Sequence, residues 1–593
     1  MSRTRIHHLL PALLLPLLVV PVYATEEGSW IQKSNEHASF VLEGTGRLYP
    51  EFASSQGLEG ADTDVTVLDE DLVAESLALL KAQLAELEER LTNTEDPRVA
   101  QDLEILIASR REALAQAEAQ EALLMPYYNV AEAVFSGLSG LLDPQVEEAR
   151  RPAALIRLRR YAGIEDGYRP MTELARERTG ERMGDASLVW PYRGEIEQDL
   201  ENAPRYLAGI AQLFQMSGLQ DYEEDLEVLK GQVDAYAEWT REVVLPRARA
   251  DFRQPGQLYQ LALEQWGVDA TPDELIADGL AGFMEIRGQM QALAPQVAAS
   301  RGWELTDYRD VIAELKKEQF QGQAIVERYR QINDALEEII VREQIISLPE
   351  RPAVIRVATD AEAAAVPQPH LKTPRLVNNE GELVEFLIPV TDPAAGKGHS
   401  AHANDTTYEA MVWTLAAHEL RPGHELQFSA MMDRGVSAVR ALYAFNSTNV
   451  EGWALYAEAE VKPYLPLDGQ LLGLQMRLLR AARSFLDPML NTGRISADEA
   501  RKILVEQVAM TPATAQLELD RYMFRIPGQA PAYYYGYRRL LEIRARAELA
   551  LSERFDRRSF HDFILDQGLL PPVLLERAVM EEYVPSRAAV AGR

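Results

Sequence analysis

The sequence predicts a mostly α fold: a large helical body with a small β-sheet placed just ahead of the candidate active site. Three observations carry this. Leu77, Leu80, Leu84, Leu87 and Leu91 recur at alternating spacings of three and four, the apolar stripe of an amphipathic helix. Further helical stretches follow around 146–161, 194–216, 222–245, 273–295 and 322–345. The best strand candidates are "RPAVIRVATD" and "GELVEFLIPVTDP", which are short, rich in β-branched residues and bounded by Pro or Gly.

In chain order, the first segment reads as an export signal over residues 1–24. Arg3 and Arg5 precede an apolar run from Leu9 to Val22, and Val22-Tyr23-Ala24 is a small-x-small cleavage site. The run is short and interrupted by prolines, so a cleaved signal is expected rather than a membrane anchor. That reading predicts a mature chain from Thr25, a periplasmic or secreted location and no stable membrane insertion after cleavage. The next segment, 25–350, is an N-terminal helical region. It includes the leucine-striped helix, which "NTEDP" ends, placing Pro97 near the start of the next helix. The remaining segment, 351–593, is the catalytic region, with the boundary drawn in "ISLPERPAV". A formal net charge of -32 argues against nucleic acid or anionic membrane as partners. With no cysteine in the chain there is no disulfide framework, no thiol nucleophile and no sulfur to carry a lipid.

The chemistry concentrates in "HELRPGHELQ", residues 418–427. The zinc-protease motif H-E-x-x-H sets two histidines one turn apart on one helix face, with the glutamate between them as general base. Here the second histidine comes six positions after the first. "DTTYEAMVWTLAAHE" carries Thr406 and Glu409 at capping-box spacing and then an apolar face, which places His418 and Glu419 near the end of a buried helix. In a regular helix His424 would sit about 240° around from His418 and about 9 Å further along, too far to share a metal. Pro422 would break the helix and Gly423 would tolerate the bend, so a bulge could return His424 to the same side. The spacing alone leaves two readings open, one metal site or two unrelated histidines.

A third ligand is available in "STNVEGWALYAEAE", where Glu451 lies on a second helical segment with Glu458 two turns further along the same face. Two histidines and a downstream glutamate are the ligand set of one class of catalytic zinc sites. Thr448 and Glu451 also have capping-box spacing, so Glu451 could instead cap its helix.

"HELRPGHELQ", "EGWALYAE" and "RYMFRIPGQAPAYYYG" together resemble the bacterial family called domain of unknown function 885, whose members resemble gluzincin metallopeptidases. The family pattern is H-E-x-x-P-G-H, then E-G-W-A-x-Y, then P-G-Q-A-x-x-Y-x-x-G, and all three occur here in order. The resemblance implies a helical metallopeptidase-like body, Zn2+ as cofactor, and His418, His424 and Glu451 as its ligands. It implies Glu419 as general base and Tyr533 as the donor that polarises the scissile carbonyl, a role for which Tyr534, Tyr535 and Tyr537 compete. Two positions depart from the pattern: Glu425 and Asn491 stand where many relatives have histidines.

His399 and His402 in "GKGHSAHAND" are candidate substrate contacts, and Arg521 and Arg525 could hold a peptide carboxylate. The expected function is an exported zinc peptidase that cleaves a peptide substrate with metal-activated water. The alternatives are a helical scaffold protein without activity and a metal hydrolase of a non-peptide amide or ester.

Overall fold

A computed structural model describes residues 29–590 except 59, 321–323, 360–361, 364–365, 367, 378 and 390–404. The signal segment 1–24 and both His399 and His402 therefore lie outside the described residues. Helices dominate the architecture, with one three-stranded sheet. The leucine stripe forms α1 (Leu72–Thr92), and α2 (Pro97–Leu123) returns after a short turn. Leu80 and Leu87 are buried, Pro97 opens α2, and the Asp96 side chain caps it by accepting from the Arg98 amide.

Two cores result. One is built from α3 (Val130–Leu142), α4 (Arg193–Ser217) and α5 (Glu223–Trp239), around Val134, Leu138, Ile210, Phe214 and Leu229. The other is larger and draws buried residues from both sides of position 350, including Leu106, Met290, Tyr329, Phe386, Leu415 and Leu478. Two of the expected helices differ in extent. The stretch expected at 146–161 is helical only from Ala153, because Pro152 precedes it and residues 143–152 form turns. The one expected at 222–245 ends at Trp239 and continues as a π-type turn over Thr240–Val244.

The strands are β1 (Val354–Val357), β2 (His370–Lys372) and β3 (Glu385–Ile388). Their order is β1-β3-β2, so β3 is central and its residues are all buried. β1 runs parallel to β3, pairing Val354 with Glu385, and β2 runs antiparallel, pairing His370 with Leu387. The sequence pattern shows β1 and β3 but not β2, which has only three residues.

Two helix crossings position the site. Helix α6 (Pro272–Arg301) lies along α11 (Leu467–Asn491), where Phe283 meets Phe485 edge-on at 5.5 Å. Helix α10 (Ser447–Val461) crosses α12 (Pro531–Leu551) at Gly452 and Gly536. A Cβ on Gly452 would lie 2.6 Å from the Gly536 carbonyl carbon, and one on Gly536 would lie 2.0 Å from the Thr448 oxygen. These glycines are required by close approach, and the contact sets Glu451 and Tyr533, each one or three residues away, side by side.

Candidate metal centre

Helix α8 (Glu409–Glu419) delivers His418 in its last turn, buried to 3 % exposure. The capping box expected from Thr406 and Glu409 is not used. Tyr408 occupies the cap, and the Glu409 carboxylate turns away to accept from Nε of Arg328 at 2.8 Å. The helix stops at Leu420, whose ψ of -111° is not helical, and α9 (His424–Arg434) begins at His424 itself. Gly423 has φ -75°, so positive-φ freedom is not its reason for being there. A Cβ on it would lie 1.8 Å from the His418 carbonyl oxygen, so the turn closes only with glycine. The break brings the two imidazoles to 4.8 Å between ring centres, nearly perpendicular at 81°.

Glu451 completes the cluster. Its Oε2 lies 3.4 Å from Nε2 of His418 and 3.2 Å from Nε2 of His424. One ligand atom from each of the three residues lies within 4.8 Å of the others. Glu451 does not cap its helix: Asn446 does, accepting from the Asn449 amide, while Thr448 donates to the Trp266 carbonyl. Oε2 of Glu451 is buried and no donor meets it with hydrogen-bonding geometry, although two imidazole nitrogens are close. Such a buried carboxylate oxygen beside two imidazole nitrogens, whose lone pairs can ligate when unprotonated, is the arrangement a metal cation would satisfy.

Behind the cluster, Nδ1 of His418 donates to Glu458 at 2.7 Å, and Glu458 also accepts from Thr414 at 3.1 Å. This fixes the tautomer and points Nε2 at the cluster. Burial alone would pull the His418 imidazolium down, but the nearby carboxylates of Glu451 and Glu458 outweigh burial and hold it up at about 9. Burial would likewise push Glu451 up, yet the facing His424 and His418 keep it well below the usual carboxylate range. Both shifts follow from the mutual attraction of imidazole and carboxylate, and a metal ion would bind in competition with the His418 proton. Among the described residues Nδ1 of His424 has no partner of this kind.

A cavity of about 390 Å³ opens onto the cluster. Glu419 lines it, with Oε1 4.0 Å from Nε2 of His418. Tyr533 lines it as well, its ring parallel to His418 at 8° and 6.5 Å between centres. Burial raises the Tyr533 phenol, and the charges of Arg521 and Arg483 oppose that rise. The competing tyrosines are used elsewhere: the Tyr534 hydroxyl abuts Gly282, Tyr535 bonds to Asp269, and Arg477 covers the Tyr537 ring at 5.0 Å. Arg521 lines the cavity and donates to the Tyr533 hydroxyl at 2.8 Å. Arg525 is not in the cavity wall and pairs with Asp199 at 3.2 Å.

Residues 50–579 match the sequence profile of a family described as bacterial protein of unknown function (DUF885). The chain belongs to this family. Two solved structures share the fold of this DUF885 protein. One is described as "a putative lipoprotein of unknown function" from Shewanella oneidensis, at 18 % identity and TM-score 0.72, covering 93 % of this chain and 100 % of its own. The other, a "putative lipoprotein" from Colwellia psychrerythraea, has 18 % identity and TM-score 0.74 and covers 94 % of this chain and 100 % of its own. Curated proteins give no match.

The two departures from the family pattern have structural partners. Glu425 is fully buried and accepts from Arg421 Nε at 2.6 Å and from Ser429 at 2.8 Å, pinning the turn between α8 and α9. Asn491 donates to the carbonyls of Asp487 and Tyr522. Asp487 accepts from Tyr259 at 2.7 Å and from the Gly528 amide, so this knot anchors the P-G-Q-A loop that leads into Tyr533. Sequence reasoning placed Glu458 on the right face but gave it no role. Lys316, Arg480, Arg483 and Glu518 were missed, because they reach the cavity from three separate segments, Arg480 and Arg483 sharing α11, with no local motif.

Proposed function

We propose that this DUF885 protein is an exported zinc-dependent peptidase of gluzincin type. The observation that carries the reading is the convergence of His418, His424 and Glu451 across a helix break, with Glu419 at the edge of the same cavity. Two imidazoles and a carboxylate suit Zn2+, and the buried, unsatisfied Oε2 of Glu451 fits a cation there. Zinc would supply Lewis acidity, polarising a carbonyl and easing deprotonation of water. Glu419 is placed to take that proton. Arg521, which has only donors, makes the Tyr533 oxygen an acceptor, so the phenolic proton, which faces Glu451 in the structure, could turn to negative charge developing on a substrate oxygen. Edge strand β2 contributes His370 and Leu371 to the cavity wall, which supports binding of an extended peptide as an added strand. Export is supported by the segment 1–24 and by the two structural relatives described as lipoproteins. Among the described residues no helix is long and apolar enough to cross a membrane.

The test is zinc analysis and hydrolysis of short peptides by the purified protein and His424→Ala. About one zinc per chain is expected, most of it lost together with activity in the variant. Full zinc and full activity in His424→Ala would refute the shared site.

A further inference from the structure

Among the described residues four cationic side chains line the cavity, and two of them are neutralised by close carboxylates. Lys316 forms an ion pair with Asp405. Arg483 grips Glu518 through Nε at 2.8 Å and Nη2 at 2.6 Å. Arg480 and Arg521 are less fully paired. Arg480 is only 4 % exposed; its Nη1 donates to the Met476 carbonyl at 3.2 Å, and its Nε is buried without a partner. The nearest carboxylate oxygen, from Glu458, stays 3.8 Å from its Nη2. Arg521 sends Nε and Nη2 to the Gln529 amide oxygen and Nη2 also to the Tyr533 hydroxyl. Among the described residues its Nη1 has no acceptor, and no carboxylate lies within ion-pair distance of its guanidinium. Arg480 is buried and Arg521 half-buried, and guanidinium donors left without an acceptor in one cavity wall suit an anionic ligand.

Their position limits what that ligand is. Both guanidiniums lie close to Tyr533, with Arg521 5.2 Å and Arg480 5.9 Å from its ring centre, and the Tyr533 ring lies parallel to that of the proposed metal ligand His418. One residue of extended chain spans roughly 3.3–3.6 Å. An anion held by Arg521 and Arg480 therefore lies within one or two residues of any carbonyl that faces Tyr533. We infer that Arg521 and Arg480 form a carboxylate-binding subsite, and that the carboxylate they take is the free C-terminus of a peptide, directly beyond the bond to be cleaved. The protein is then a carboxypeptidase-type enzyme acting on the ends of chains. This rests on the peptidase reading above. A planar guanidinium meets a carboxylate through two parallel N–H donors, and Arg521 keeps Nη1 free for that purpose. An aspartate side chain just past the scissile bond offers the same chemistry, and the experiment separates the two sources.

Binding is measured by calorimetry in a Glu419→Gln background, so that turnover does not intervene. The probes are Ala-Ala-Ala with a free C-terminal acid, Ala-Ala-Ala amide, and Ala-Ala-Asp amide. The free acid should bind about 10- to 100-fold more tightly than the amide, the worth of a charge-assisted hydrogen bond that the amide cannot make. Arg521→Met and, separately, Arg480→Met should each shrink that ratio, and Arg521→Lys should keep part of it. Because the acid-to-amide ratio is taken within one variant, a general loss of stability or a displaced Tyr533 does not mimic the effect. Equal binding of acid and amide by the parent, or an unchanged ratio in both methionine variants, overturns the subsite while leaving the peptidase reading intact. Ala-Ala-Asp amide binding as tightly as the free acid overturns the assignment to a C-terminus. Failure of all three peptides to bind overturns the subsite and the peptide reading together.

Discussion

Replacing Gly423 by alanine tests the helix break most sharply. The added Cβ would lie 1.8 Å from the His418 carbonyl oxygen, 2.4 Å from its carbon and 2.6 Å from the Ala417 oxygen. All three are backbone atoms, so no side chain can swing aside. Reaching even a 3.0 Å contact from 1.8 Å requires a shift of about 1.2 Å, and Gly423 adjoins His424 while its clash is with His418. Metal sites hold their ligand distances to about ±0.2 Å, so a displacement several times larger between two ligands should disable the site. Overpacking of this kind costs about 1–3 kcal/mol or more in stability. The assay is zinc affinity by competition with a chelator, beside a thermal melt followed by circular dichroism. Gly423→Ala should lose at least about 100-fold in zinc affinity, equivalent to about 2.7 kcal/mol, and melt at a lower temperature. Zinc affinity within threefold of the parent, in a folded variant, would refute the claim that this turn sets the ligand geometry.

Two further outcomes follow from neighbouring contacts. Glu458→Gln keeps an acceptor for Nδ1 of His418 but removes the charge, and zinc affinity by the same competition should fall about 10- to 100-fold; an unchanged affinity would remove Glu458 from the site. Burial pushes the Asp487 carboxyl up to about 7, against roughly 3.9 in the unfolded chain, although Tyr259, Gly528 and Asn491 donate to it. A raised folded pKa means the protonated form is favoured in the fold, so its contribution is present below about pH 4 and is lost as pH rises through about 7. Asp487→Asn should therefore gain stability relative to the parent between pH 5 and pH 8, by at most about 3 kcal/mol, in denaturant melts at the two pH values; a difference that does not change with pH would contradict the shift.

The fold class was legible because its signal is periodic and local. Leu80 and Leu87 face inward as the leucine stripe requires, and Pro97 opens α2 where its missing N–H costs nothing. Strand β2 was not legible, since three residues carry no period and its pairing with β3 is a tertiary fact. At the site, the pair His418 and His424 could be proposed from Pro422 and Gly423, and Gly423 has the unusual backbone angles expected of it, φ -75° with ψ -137°, together with a close approach that the sequence does not show. Two capping boxes were read from spacing alone, at Thr406 and Thr448, and in both the carboxylate is used elsewhere, Glu409 on Arg328 and Glu451 at the cluster. Local spacing cannot show that a distant arginine or histidine competes for the same carboxylate. The sequence offers Arg521 as a holder of a carboxylate, but Lys316, Arg480 and Arg483, which join it in the cavity wall, are invisible for the same reason.

The central claim is that Glu419 serves as general base beside a metal held by its neighbours. The most direct measurement is the rate of peptide hydrolysis by zinc-loaded Glu419→Gln, with zinc content determined on the same sample. The account predicts parental zinc content and a rate lower by about 10²- to 10⁴-fold. Hydrolysis at the parental rate with zinc bound would contradict it.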